Sequence, residues 1–129
     1  MNRRKFVAQG GSLLAGASAV PTAKSVPSVA NSQVPRTFIR RIETDGVSVF
    51  YREAGPPKAP VVLLLHGFPT SSFMYRELIP RLADRYRVIA PDLPGFGFTE
   101  VPKERQYKYS FDALAQTVVA FTDALKLKR

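Results

Sequence analysis

Two unbroken apolar runs stand out in the hydropathy pattern of the chain. Residues 61–65 read Val-Val-Leu-Leu-Leu and lead into His-Gly-Phe-Pro, and residues 88–90 read Val-Ile-Ala and lead into Pro-Asp. An apolar run that does not alternate predicts a strand covered on both faces, in the middle of a parallel sheet. Each strand should end in a sharp turn, because Gly67 can adopt positive φ and Pro69 cannot continue a ladder.

A helix is predicted between these two strands. Residues 70–72, Thr-Ser-Ser, are suitable caps for its first turn. Pro80 lies inside the apolar pattern and should kink the helix or end its regular part. The strand, helix and returning strand should form a right-handed crossover. Four apolar residues at helical spacing form the buried stripe of this helix: Tyr75, Leu78, Ile79 and Leu82.

A β-hairpin is predicted before the first apolar run. Residues 37–43 and 47–53 flank Asp45-Gly46, a pair that favours the two positive φ angles of a type I′ turn. The second of these strands alternates approximately, which predicts an antiparallel strand half exposed to water.

A second helix is predicted at the C-terminal side of the chain. Ser110 is its N-cap, and Asp112 lies in its first turn, where a negative charge suits the helix dipole. The predicted order is therefore β-β-β-α-β-α, and two parallel strands with two helices would leave one sheet face poorly covered. The expected buried face of this helix comprises Phe111, Leu114, Ala115, Val118, Phe121, Thr122 and Leu125.

Composition narrows the function classes. The 129 residues are 45% hydrophobic, which is typical of a globular domain and not of a disordered chain. The absence of cysteine excludes disulfides, thiolate zinc sites and a lipoprotein cysteine. The net charge is +9, but no nucleic-acid reader motif accompanies it, so a solvated basic surface is expected and nucleic-acid binding is not.

Residues 1–30 have the pattern of a signal peptide followed by a linker. They contain four basic and no acidic residues. Arg3 and Arg4 with the following Lys-Phe-Val resemble the twin-arginine export motif. The resemblance implies a partner in the export machinery, cleavage after Ala19 or Ala30, and a periplasmic or secreted product. An amphipathic or membrane-anchoring N-terminal helix remains the alternative.

The rest of the mature chain resembles a known superfamily. His-Gly-Phe-Pro at 66–69, the serine-rich helix start and Pro-Asp-Leu-Pro-Gly-Phe-Gly-Phe-Thr at 91–99 are together similar to the α/β-hydrolase fold, in its epoxide hydrolase and haloacetate dehalogenase branch. Haloalkane dehalogenases carry Asn where this chain has Phe68. The resemblance implies an α/β domain over residues 36–129: a hairpin, then a βαβα unit of a mostly parallel sheet, as the N-terminal part of a larger fold.

The resemblance also implies site residues. The backbone N–H of Phe68 would be one of two oxyanion-hole donors, and its ring would line the pocket. Pro69 is commonly cis in this motif. A small-molecule substrate and no cofactor are implied, and the oligomeric state is left open. The residues expected to shape the loops or the pocket are His66, Gly67, Pro69, Asp92, Gly95 and Gly97.

Four other interpretations of these residues are rejected. His66 is the one histidine of the chain, but a strand end in the oxyanion loop is an architectural position and the family's base comes later. Asp92 is interpreted as bracing its loop and not as a nucleophile. A metal site formed by His66 and Asp92 would lack further ligands. Gly95 and Gly97 do not complete a dinucleotide-binding motif, because Glu100 stands at the third glycine position.

Two hypotheses follow from the lack of a nucleophile motif. No G-x-S-x-G or G-x-D-x-G sequence occurs in the 129 residues, so no nucleophile, acid or base can be assigned. The first hypothesis is a hydrolase N-terminal fragment, inactive alone, whose parent cleaves an epoxide, carbon–halogen or ester bond. The second is a stand-alone, non-catalytic binding protein, which would have to fold cooperatively by itself.

Overall fold

A computed structural model describes residues 35–127 of the chain. They lie within a compact unit comprising residues 32–129. The predicted signal peptide, with Arg3, Arg4 and both cleavage positions, lies outside the described residues and stays a prediction. Within the described part, no helix is both long and apolar enough to span a bilayer.

The predicted element order is confirmed. The strands are β1 (Phe38–Thr44), β2 (Val47–Ala54), β3 (Val61–Leu63) and β4 (Arg87–Pro91). The helices are α1 (Leu78–Leu82) and α2 (Phe111–Ala124), and short 3₁₀ turns precede each of them at Ser72–Tyr75 and Lys103–Arg105. The four strands form one sheet in the order β1-β2-β4-β3.

The α/β fold class is confirmed, and the described sheet is mixed. β3 and β4 are parallel, while β1 with β2 and β2 with β4 are antiparallel. The described part is therefore not mostly parallel, because the hairpin joins the sheet directly against β4. The hairpin turn is as predicted, with φ of 51° at Asp45 and 66° at Gly46.

Two predictions of strand burial are wrong. β3 is not buried on both faces in the middle of the sheet: Val61 is 37% exposed, since among the described residues β3 pairs with β4 alone and forms an edge. β2 is not half exposed, because it lies between β1 and β4 with a helix on either side. Val49 and Tyr51 pack toward Phe121 of α2, whereas Ala54 packs toward Ile79 of α1.

The helices also differ in detail from their prediction. The helix predicted here is divided into the 3₁₀ turn Ser72–Tyr75 and α1, and Pro80 lies in the first turn of α1, where backbone N–H groups have no intrahelical acceptor. In α2, Phe111 and Ala115 are exposed and Thr117 is buried, against the prediction, whereas Phe121 is buried as predicted. The caps are confirmed: Ser71 accepts from the N–H of Phe73, and Ser110 from that of Ala113.

Candidate functional site

The turn after β3 is held by the side chain of His66. This residue is 5% exposed. Its Nε2 accepts a hydrogen bond of 2.9 Å from the N–H of Leu93, so the ring proton is on Nδ1, which donates to the carbonyl of Gly67 at 2.8 Å. Nε2 thus joins the loop after β3 to the loop after β4, while Nδ1 is occupied within the loop after β3 itself. The geometry fits a bracing role, and among residues 35–127 no carboxylate forms a hydrogen bond or ion pair with the ring.

Phe68 follows at the exposed tip of this turn. Its ring is 85% exposed and packs edge-to-face on Phe96 at 6.0 Å between centroids. The Phe68–Pro69 peptide bond is cis, as the resemblance implied. Within residues 35–127, the N–H of Phe68 donates to no protein acceptor. An exposed turn therefore carries a backbone N–H that has no protein acceptor among the described residues.

Asp92 is the centre of the loop after β4. It is 1% exposed, and its two carboxylate oxygens accept from the N–H groups of Ser72 at 2.7 Å and Phe98 at 2.8 Å. Its own N–H donates to the carbonyl of Phe50 at 2.8 Å, and its carbonyl accepts from the hydroxyl of Thr99 at 2.6 Å. Because the carboxylate is buried and both of its oxygens accept from backbone N–H groups, the side chain is placed to brace the loop.

Two glycines allow this loop its shape. Gly95 has φ of 88° and follows Pro94 in a turn closed by the N–H of Phe96 on the carbonyl of Leu93, which is the pattern of a type II turn. Gly97 has φ of 54°, and a Cβ there would collide with the Asp92 carboxylate. Both glycines are therefore required by backbone conformation and close packing.

An open groove of about 610 Å³ lies beside the turn after β3. Its walls come from three segments: the turn itself, the loop after β4 and the start of α2. The structure thus brings together Phe68 and Gly95, two of the residues singled out in the sequence, whereas His66 and Asp92 lie behind the wall as supports. The lining residues are Phe68, Pro94, Gly95, Phe96, Tyr109, Ser110, Phe111 and Leu114.

Sequence reasoning missed the contribution of α2 to this groove. Phe111 was expected to be buried, but it is 91% exposed at the groove. Its position immediately after the capping residue Ser110 could have indicated this, since a first-turn residue precedes the packed turns of a helix. Among the described residues, no cluster of three or more side chains could hold a metal ion.

Comparison with known proteins gives consistent matches. The family described as alpha/beta hydrolase fold matches residues 60–129. An uncharacterised hydrolase of Saccharomyces cerevisiae is 56% identical over 85 residues, which cover 66% of this chain and 29% of the relative. Epoxide hydrolase A of Mycobacterium tuberculosis is 40% identical over 91 residues, or 70% of this chain and 28% of the relative.

Solved structures agree with the sequence matches. A loop variant of a haloalkane dehalogenase from Bradyrhizobium elkanii superposes with a TM-score of 0.66 at 36% identity, covering 70% of this chain and 29% of the other. The chain spans about three tenths of the length of the relatives it matches.

Proposed function

The chain belongs to the α/β-hydrolase fold family, and from this premise we propose that it forms the oxyanion side of a hydrolase active site. The N–H of Phe68 would be one of two donors that stabilise negative charge on the reacting group. The observation that carries the proposal is that this N–H has no protein acceptor within residues 35–127 although the turn around it is fixed by His66. A preorganised donor of this kind typically contributes about 10²–10³ in rate.

The proposed reaction is hydrolysis of an epoxide, carbon–halogen or ester bond in a small molecule. Relatives bearing the names epoxide hydrolase and haloalkane dehalogenase support this range. We further propose that the nucleophile, the acid and the base lie outside the 129 residues, because no G-x-S-x-G or G-x-D-x-G sequence occurs in them. The 129-residue chain alone would then be inactive.

Reading the coding sequence beyond the codon for Arg129 tests the division of the site. We expect a buried strand followed by a Ser or Asp elbow within about ten codons. The protein that includes this extension should hydrolyse a member of an epoxide, haloalkane and ester panel, and the 129-residue chain should not. Hydrolysis by the 129-residue chain at the rate of the extended protein would contradict the proposal, as would an extension without such an elbow.

We also propose export by the twin-arginine route, supported by Arg3 and Arg4 ahead of a short apolar segment. Replacing both by Lys keeps the charge and removes the guanidinium pair. The double variant should remain in the cytoplasm of a bacterial host while the unmodified chain reaches the periplasm. Equal fractionation of the two proteins would contradict export by this route.

A further inference from the structure

We propose that the groove beside Phe68 binds an uncharged aryl group of the substrate, and that Phe111 and Tyr109 at the start of α2 determine this specificity. The inference rests on the proposed function, because it assigns a substrate class to the same site.

The chemistry of the groove favours an uncharged ligand. Within the part of the chain that the structure describes, the lining contains four aromatic rings and no charged side chain. A charged group placed there would lose hydration without gaining an ionic partner. The volume of about 610 Å³ lies within the range of small-molecule sites.

Phe111 provides the argument for an aryl partner. It is the first residue of α2, it is 91% exposed, and Leu114 lies one turn further along the same wall. The helix cap is supplied by Ser110, so the local structure has no need of a large apolar side chain at this position. A ligand ring that covered Phe111 would remove its apolar surface from water.

Tyr109 forms a fixed part of the wall. Its ring packs against that of Tyr107 at 5.1 Å between centroids, and the Tyr107 hydroxyl lies 2.9 Å from the Thr117 hydroxyl. A Cβ on Gly95 would lie only 2.9 Å from Cε1 of Tyr109, so the ring rests directly on the backbone of that glycine. A wall held in this way is preorganised, and ligand binding has little ordering to do there.

The opposite wall carries the polar contact. Phe68 and Phe96 pack edge-to-face, and the N–H of Phe68 belongs to the same residue as the exposed ring. Phe68 lines the groove and its N–H has no protein acceptor among the described residues, so the ligand that we infer has an aryl body and one neutral acceptor atom for this N–H.

Competition binding on the full 129-residue chain tests the aryl site. Benzophenone and diphenylmethane differ only in the carbonyl acceptor, and both would displace the neutral fluorophore N-phenyl-1-naphthylamine. Phe111→Ala should weaken the binding of both ligands about tenfold, because each loses its contact with a ring that it would cover in the complex. Phe73→Ala is the matched control: Phe73 is also an exposed aromatic residue, but it lies outside the groove.

The outcomes separate this inference from the proposed function. Equal losses in Phe111→Ala and Phe73→Ala would overturn the aryl site, as would binding of anionic 4-benzoylbenzoate as tightly as benzophenone. If Phe111→Ala weakens both ligands but benzophenone binds no better than diphenylmethane, the aryl site is supported and the Phe68 donor is contradicted. Circular dichroism of each variant verifies that the fold is retained.

Discussion

The imidazole Nε2 of His66 accepts a hydrogen bond of 2.9 Å from the backbone N–H of Leu93. This bond ties the end of β3 to the end of β4, the parallel pair of the sheet. The turn that presents Phe68 is thus attached to the loop after β4, which also lines the groove.

Replacing His66 should loosen this connection. His66→Ala leaves the Leu93 N–H without its acceptor and should lower the free energy of unfolding by about 1–3 kcal/mol. His66→Gln is the matched variant, because its side-chain oxygen can take the place of Nε2 and should recover part of the loss. Urea unfolding measures both. A His66→Ala protein as stable as the unmodified chain would contradict the bracing role.

Loss of one acceptor oxygen of Asp92 should destabilise the fold. Both carboxylate oxygens accept from backbone N–H groups. In Asp92→Asn, the side-chain N–H₂ would face one of these N–H groups, and two donors cannot bond each other. We expect a loss of about 1.5–3 kcal/mol in unfolding free energy. Asp84→Asn, at an exposed carboxylate, should change stability by less than about 0.5 kcal/mol. Equal losses of unfolding free energy in the two variants would contradict the bracing role of Asp92.

The glycines offer a sharper contrast. Gly97→Ala adds a methyl group against the Asp92 carboxylate at a positive φ, and should destabilise the chain by at least about 1 kcal/mol. Gly67→Ala adds the same methyl where no atom lies within 4 Å, and its thermal midpoint should be nearly unchanged. Reversed effects in thermal unfolding would contradict the loop geometry.

Much of the local structure could be predicted from neighbouring residues alone. The Asp45-Gly46 turn and the Ser71 and Ser110 caps each depend on a few consecutive positions, and all three are confirmed. The edge position of β3 could not be predicted, because an apolar run does not specify which strand pairs with it. The inner position of β2 depends likewise on its pairing with β4.

Thr117 illustrates the same limit within the helix α2. Its hydroxyl lies 2.9 Å from both a carboxylate oxygen of Asp45, 72 residues away, and the hydroxyl of Tyr107. Arg105 also binds Asp45, at 3.0 Å. A polar residue at the centre of a buried face becomes favourable only when these distant partners are in place, so apolar periodicity alone did not include Thr117 in the face.

Removing the Thr117 hydroxyl should therefore be costly although the side-chain shape is kept. Thr117→Val leaves the Asp45 carboxylate and the Tyr107 hydroxyl each short of a partner, with an expected loss of about 1–3 kcal/mol. Thr122→Val removes a hydroxyl that contacts only its own helix at the surface. In chemical denaturation, a Thr117→Val effect no larger than that of Thr122→Val would contradict the network.

Stability should fall in strong alkali because of Tyr51. Burial raises the pKa of the Tyr51 phenol above its ordinary value of 10.0, and the Glu53 carboxylate raises it further, against lowering by Arg40 and Arg87. The folded state therefore holds the phenol proton more tightly than the unfolded state does. This contribution is fully present below pH 10 and is lost as the pH rises through the raised folded-state pKa.

Tyr51→Phe isolates this effect. The variant cannot ionise at residue 51, so its unfolding free energy should decline less steeply above about pH 10. Parallel urea titrations at increasing pH give the comparison. Identical slopes for the two proteins would show that Tyr51 does not carry the alkaline dependence.

The proposed active site depends on the N–H of Phe68 as a donor to the reacting group. Its ¹H–¹⁵N resonance, followed during titration with benzophenone and with diphenylmethane, tests this most directly. We expect a downfield shift of the amide proton with benzophenone alone, because only that ligand offers a carbonyl acceptor. An amide proton that responds to both ligands alike, or to neither while both bind, would contradict it.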